Sequence, residues 1–552
     1  MVANNLQSLK SKKLLMATWN CANKDFYQNR DWIQIFNELF GKQVVFSPRE
    51  NYLRFGKEKM NSLFLKLVKK EQPEYIILSL SYEEFYPETL LNIKKMSPKS
   101  KVANFFGDDN WRYEDWSRFY APFFDYVLIS ELDNTQYKLD RIDKKKIFFL
   151  HGINPEVFKK LIVPKKYDVT FIGSPVRDRA DYLKYLITNG INLRIFGEGW
   201  SNFPEFKGYY GGFLKSEDYV KVINESKINL NFSKSALPEK GKNDTQFKGR
   251  TIEIMGSEAF LLTEDSPGTP KFIDKEIIFR DKEDLLKKIQ FFLTHESAGA
   301  EITSRLSGKI RKTYVWKEQF KKFFKQAEKD KSSNRVLDIT PQKKIISLNA
   351  QQLNQSIGHL KNITADYKYI KFNKEPSIES KWRNFFQVYA LEKSNKPIGC
   401  CDYYATSAAL GEYALVMAKK SFKTEAIKDI KELFSISQLL VTRDYFINNL
   451  SLFKKLYIGE YDYKLLQDNL AFVSIPLISI LRNIKNLAKT SRKAIRMLYL
   501  DKLYSLKYQK KIFVNPYTYK LAFSLIKYPL IAETLWSTAL DKESREKAKV
   551  AQ

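Results

Sequence analysis

Two hydrophobic rhythms alternate along the first ~330 residues. Short, nearly continuous apolar runs (LLMATW from Leu14, VVFSP from Val44, EYIILSL from Glu74, KVANFF from Lys101, FDYVLIS from Phe124, KIFFL from Lys146) are one. Between them lie Asp25–Phe40, NSLFLKLVKKEQP from Asn61 and PETLLNIKKM from Pro87, whose apolar residues recur every three or four positions. A strand covered on both faces is apolar throughout, whereas a helix is apolar along one stripe. The alternation therefore predicts a parallel sheet with helices on both sides. The rhythm breaks at KKLIVPKKY (Lys159–Tyr167) and then restarts: YDVTFIGSP, RDRADYLKYLITNG, INLRIFGEGW, SEDYVKVINES, KINLNFS, KEIIFR, KEDLLKKIQFFL and a terminal helix over Ala298–Lys329. The expected fold class is α/β, with two doubly wound Rossmann-like domains (1–165 and 166–330) facing a cleft. From Lys331 the pattern turns polar and irregular, so 331–552 is expected to be an accessory domain, mixed α/β at first and largely helical after about Leu465.

The second run of strands carries the candidate chemistry. In QFKGRTIEIMGSEAFLLTED (Gln246–Asp265), Lys248 and Arg250 stand just ahead of Glu253 on a short helical stretch. An apolar strand follows and ends in Glu264. A polyphosphate needs cations and free backbone N–H groups, and a ribose diol needs a carboxylate acceptor. Taken alone, the same stretch also reads as a solvated amphipathic helix leading into a core strand. Its neighbours extend the set. Gly173-Ser174-Pro175 ends one strand and is followed by Arg177 and Arg179, which open a helix; Gly197 lies in a loop after the next strand. All fall after successive strands, hence on one sheet edge. In the first domain, Asp108 and Asp109 follow a strand, where a carboxylate facing the cleft could take a proton from an acceptor hydroxyl. An Asp-Asp-Asn turn is the competing reading, and His151 reads as a turn residue.

FIGSPVRDRADYLKYLITNGINLRIFGEGW, KINLNFS, QFKGRTIEIMGSEAFLLTED and TYVWKEQFKKFF together resemble the C-terminal half of spore-maturation-type GT-B glycosyltransferases, the "glycosyl transferases group 1" kind, over about Tyr167–Phe324. The resemblance implies a nucleotide-sugar site. Arg177 or Arg179 with Lys248 and Arg250 would hold the diphosphate, Glu253 the ribose or sugar, and Gly197 would lie beside the base or ribose. Gly173 and Glu264 complete the implied donor set, and Asp109 with Glu253 the catalytic pair. It implies no metal and no cofactor beyond the donor. Two positions depart from the family: Thr245 stands where many members carry a second glutamate, and Glu258 where they carry a small residue. The stretches LNQSIGHLKNITADYKYIKFNKEP, VYALEKSNKPIGCCDYYA, FSISQLLVTRDYF and GEYDYKLLQDNLAFVSIP resemble a degenerate family-2 GT-A fold. Its metal-binding position reads Asn373-Lys374-Glu375, and Glu460 replaces the catalytic aspartate.

Charge and cysteine content narrow the setting. Three cysteines make no disulfide framework and point to a reducing, cytoplasmic location. A net charge of +30 suits phosphorylated substrates, lipid headgroups or nucleic acid. No nucleic-acid module is visible, so no nucleic-acid partner is expected. From Arg482 to Lys511 ten basic residues face one acid among apolar ones, the pattern of a basic helix that rests on an anionic membrane surface or of a packed helix with a basic outer face. The expected function is sugar transfer from a nucleoside-diphosphate donor to a glycan, lipid-linked or protein hydroxyl. The alternative is an inactive GT-B scaffold docked on a membrane or a glycan-assembly machine.

Overall fold

A computed structural model describes residues 9–18, 28–55, 57–80, 84–111, 113, 117–135, 137, 146–234, 245–330, 345–374, 377–379, 383–406, 413–416, 436–458 and 469–481. The chain divides into two units, Met1–Val336 and Leu337–Gln552.

The first unit holds two parallel sheets. In the first sheet, β1 (Lys13–Thr18), β2 (Lys42–Phe46), β3 (Tyr75–Ser79), β4 (Lys101–Phe106), β5 (Tyr126–Ile129) and β6 (Ile147–Phe149) lie in the order β2-β1-β3-β4-β5-β6. The second comprises β7 (Tyr167–Ile172), β8 (Leu193–Phe196), β9 (Ser226–Asn231), β10 (Leu261–Glu264) and β11 (Ile278–Phe279), in the order β11-β10-β9-β7-β8. Both are doubly wound and reverse direction beside their first strand, which opens a crevice at the strands' carboxyl ends. The unbroken burial of β1, β3 and β5 is what their continuous apolar runs require.

The terminal helix expected over 298–329 is two helices, Glu296–Thr313 and Trp316–Lys329. Val315 between them forms a parallel bridge with Ile153. The Ile153 amide donates to the Tyr314 carbonyl (2.9 Å), and the Trp316 amide to the Ile153 carbonyl (3.1 Å). Gly152 is obligatory there, because a Cβ would lie 2.6 Å from the Trp316 nitrogen. Beyond this crossing the second helix leaves the second sheet and packs on the first. Its Trp316, Phe320, Phe323 and Phe324 join Trp32, Phe36 and Phe40 in one core. Lys101 and Tyr126 then secure its last turn. Lys101 Nζ donates to the Ala327 and Asp330 carbonyls, and the Tyr126 hydroxyl donates to Asp330 Oδ2 (3.0 Å).

The second unit is built on a mixed sheet of β12 (Ile345–Leu348), β13 (Tyr369–Phe372), β14 (Ser377–Glu379), β15 (Ile398–Thr406), β16 (Tyr413–Val416), β17 (Leu439–Thr442) and β18 (Leu470–Leu481). The stretch after Leu465 was expected to be helical, but residues 470–481 form a twelve-residue strand. LAFVSIPLISIL is rich in β-branched residues, and its Pro476 cannot sit in a helix interior without breaking it. Cys400 and Cys401 are buried thiols within β15. Arg383 is buried too, donating from Nε to Gln387 Oε1 (2.9 Å) and from its terminal nitrogen to the Ser437 and Leu439 carbonyls (2.6 and 3.2 Å). Glu375, Glu460 and the basic stretch 482–511 lie outside the described residues.

Phe320 sits 5.0 Å from Trp32 and 4.7 Å from Phe36 between ring centroids, with no exposure. Phe320→Ala should cost the first unit about 3–5 kcal/mol, read as a lower denaturation midpoint. Ile162→Ser, at a fully exposed position, should stay within about 0.5 kcal/mol.

Candidate anion and sugar-nucleotide site

The carboxyl ends of β7 and β9 flank the switch point of the second sheet, and Arg179 spans them. One of its terminal nitrogens donates to the Ser174 carbonyl after β7 (3.1 Å) and the other to the Lys234 carbonyl after β9 (3.5 Å). Its guanidinium lies 5.6 Å from the centroid of Phe171, and that of Arg250 lies 5.9 Å from the same ring. The Nε atoms of both arginines are buried and have no hydrogen-bond partner among the described residues. Burial, and then the charge of Arg250, push Arg179 down to about 10, so it stays charged at neutral pH. Lys248 is also pushed down by burial, with Asp108 and Glu131 opposing and Arg179 and Arg250 adding to the shift. Three cations thus crowd one desolvated spot, an arrangement that an anion would relieve.

Backbone geometry leaves room for such a ligand. Arg250 opens helix Gly249–Gly256 after Lys248, and no side chain caps that helix. Its first N–H groups and positive dipole end therefore face the same spot. Gly173 and Gly197 form the adjoining wall. Gly197 has φ +125°, and a Cβ on it would lie 2.5 Å from the Gly173 carbonyl oxygen; a Cβ on Gly173 would lie 3.4 Å from an Arg250 terminal nitrogen. Glu253, one turn into the helix and half-buried, accepts from the Tyr219 hydroxyl at Oε2 (2.8 Å). Burial raises its pKa, against the Tyr219 bond and the charge of Arg250.

The remaining candidates fare differently. Arg177 does not open the helix: it sits exposed in the turn before it, with φ +61°, and the helix begins at Arg179. Glu264 is engaged by backbone of its own sheet. It is 4% exposed and accepts from the Ser233 and Lys234 amides (2.8 and 3.3 Å), so it shapes the turn after β9. Asp109 does not face the cleft as a base. It is buried, with Ser117 donating to one carboxylate oxygen and Tyr137 to the other. Asp108 takes the outward place. Its left-handed backbone (φ +51°) turns the carboxylate to accept from Gln246 Nε2 (2.7 Å).

That contact belongs to a seam between the two sheets' carboxyl edges. Asn110 Nδ2 donates to the Thr245 carbonyl (2.6 Å), and the Phe247 amide donates to Glu131 Oε2 (3.1 Å). Further along, Leu132 to Thr135 and Glu264 to Lys271 line a cavity of about 850 Å³. Glu131 was invisible to motif reading. Its position just past β5 was the available signal, because ligand-facing residues gather at that edge. His151, read as a turn residue, is a buried imidazole against Phe247 and Trp316 (ring centroids 5.7 and 6.2 Å), and burial lowers it to about 4.

Residues 179–325 match the glycosyl transferase-like family. The segment runs from the arginine at the switch point to the helix that returns to the first sheet, so it contains Arg179, Gly197, Lys248, Arg250 and Glu253. With the two doubly wound sheets, it bears out the GT-B resemblance and fold class read from the sequence. No curated protein matches the chain. Among solved structures, the apo form of the lipopolysaccharide outer core galactosyltransferase WaaB is 13% identical, covering 57% of this chain and 99% of its own, with a TM-score of 0.38. AviGT4, a glycosyltransferase involved in avilamycin A biosynthesis, is 9% identical over 57% of this chain and 97% of its own (TM-score 0.40). The UDP-GlcNAc 2-epimerase from Neisseria meningitidis, bound to UDP-GlcNAc, is 9% identical over 58% and 100% (TM-score 0.36).

The position of His151 beside the glycosyl transferase-like segment has a measurable consequence. Its native pKa near 4 lies below the ordinary 6.5, so between these values the unfolded chain binds a proton that the native one does not. Stability should therefore fall as pH drops from 6.5 towards 4, by about 3 kcal/mol in all. His151→Gln, which does not titrate, should flatten that slope in denaturation curves taken across the interval.

Proposed function

We propose that the first unit is a glycosyltransferase moving a sugar from a nucleoside-diphosphate donor to a hydroxyl of a glycan, lipid-linked or protein acceptor, without a resident metal. The observation that carries this reading is the pair of guanidiniums, Arg179 and Arg250, over one Phe171 ring at the uncapped start of helix Gly249–Gly256. The diphosphate would take the open donors of both arginines, Lys248 and the first helical N–H groups. Gly173 and Gly197 would let the nucleoside end approach backbone closely, and Glu253, oriented by Tyr219, would accept from the ribose diol or a sugar hydroxyl. As the sugar–phosphate bond breaks, its electron pair moves onto the terminal phosphate, and the cations sit where that charge grows. The first sheet's carboxyl edge would hold the acceptor in the cleft. This reading places the protein in the cytoplasm, with 482–511 as a contact for the inner face of a membrane. Among the described residues no helix is long and apolar enough to cross one.

A panel of UDP-, GDP-, ADP- and dTDP-sugars tests the proposal by binding and by slow release of free nucleotide. One donor class should bind to the wild type, with kcat/KM about 10²–10³-fold lower in Arg250→Ala and Arg179→Ala. Arg250→Lys should recover little, because a point charge does not reproduce the planar fork. Failure of all four classes to bind at millimolar concentration would overturn the reading in favour of an inactive scaffold.

A further inference from the structure

Three consecutive residues, Thr245, Gln246 and Phe247, lead into Lys248 and Arg250, and each is held by a different residue of the opposite sheet. Asn110 holds the Thr245 carbonyl (2.6 Å) and Asp108 the Gln246 side chain (2.7 Å), while Glu131 accepts the Phe247 amide (3.1 Å). Asp108 and Asn110 follow β4, and Glu131 follows β5. Lys248, next in sequence, is extended (φ −105°, ψ +135°) and precedes a helix without a side-chain cap. The helix is pinned to its own sheet by the buried Ile252, Ile254 and Met255 and by Asn231 Nδ2, which donates to Thr251 Oγ1 (3.2 Å). The turn before it is therefore where the opposite sheet can act on its first N–H groups and Arg250. The Phe247 amide is the last backbone anchor before them, and its acceptor comes from the other half of the unit.

We propose that Glu131 is a positioning residue of the donor site, supplied across the cleft, which sets donor affinity by holding the 245–248 turn against the first sheet. This rests on the donor-site reading above. Glu131 Oε2 takes the Phe247 amide, and Oε1 is buried with no hydrogen-bond partner among the described residues. The groups facing the carboxyl are Asp108, Asp109 and Lys248. Burial raises it to about 8, with the Phe247 bond opposing. The proton that this implies at neutral pH leaves the carbonyl oxygen free to accept, so the hold depends on an acceptor atom more than on a charge. The two halves are thereby coupled: whatever draws the first sheet away from the turn also loosens the donor's phosphate site.

Glu131→Ala and Glu131→Gln in the full chain separate the possibilities. Hydrogen exchange in peptides covering 245–250, measured without ligand, should quicken about tenfold or more in Glu131→Ala, the worth of one lost hydrogen bond. Exchange in β1–β4 should not change. The dissociation constants of inorganic pyrophosphate and of the nucleoside diphosphates should rise about tenfold in parallel. Glu131→Gln keeps an oxygen for the Phe247 amide and should stay within about threefold of wild type in both readouts. Unchanged exchange and affinity in Glu131→Ala would overturn the proposal, as would a Glu131→Gln as damaging as Glu131→Ala. A wild type that binds neither pyrophosphate nor any nucleoside diphosphate overturns the donor-site reading instead. The exchange experiment, which needs no ligand, still decides whether Glu131 holds the turn.

Discussion

The arrangement of the first unit depends on a crossing of two chain segments at Gly152. There Ile153 pairs with Val315, and the Trp316 backbone lies so close that a single methyl group would be excluded. Two doubly wound sheets joined only by a linker at 159–167 would share little core and could hinge freely. The crossing adds a second covalent passage, and the helix after it carries four large aromatic side chains onto the first sheet. Burial of that aromatic face is worth far more than the two backbone hydrogen bonds beside it. The crossing therefore ties the two sheets together at the base of the cleft, away from the rim where the seam residues lie.

At that rim charged groups of the two sheets meet. The second sheet supplies Arg179, Lys248 and Arg250, and the first supplies Asp108 and Glu131. Cations held together in a desolvated spot repel each other, as the lowered pKa values of Arg179 and Lys248 record. Asp108 offsets part of that repulsion at Lys248, and Glu264 and Asp178 at Arg179, while the Nε atoms of both arginines have no hydrogen-bond partner among the described residues. Asp109, one residue from Asp108, is engaged instead by Ser117 and Tyr137 inside the first sheet's loops. A left-handed residue between strand and turn decides which of two adjacent aspartates reaches the cleft.

The alternation of apolar runs exposed both sheets, because each strand is buried on two faces and each helix on one. The cation-rich helix start was legible for the same kind of local reason: Lys248, Gly249, Arg250 and Glu253 lie within one turn and a half. What escaped depends on distant pairing. Glu131 acquires its role from Phe247, 116 residues away. The helix from Trp316 has an evident aromatic stripe, but its sequence says nothing of which sheet the stripe meets. A carboxylate at a strand end, as at Glu264, satisfies neighbouring amides as readily as a ligand. The strand at 470–481 is hard to read because a basic, helix-like composition follows its β-branched run directly.

The seam also bears on Thr245. Here the chain uses that residue's backbone: its carbonyl accepts from Asn110. The next carboxylate along the rim, on Glu131, comes from the other sheet and meets the Phe247 amide two residues later. The carboxyl group nearest the donor turn on this side thus comes from the half that faces it. A carboxylate carried on the same chain segment as the cations would move with them. One carried on the opposite sheet changes its distance to Lys248 whenever the rim opens. The polar surroundings of the phosphate pocket therefore depend on how closely the two sheets approach.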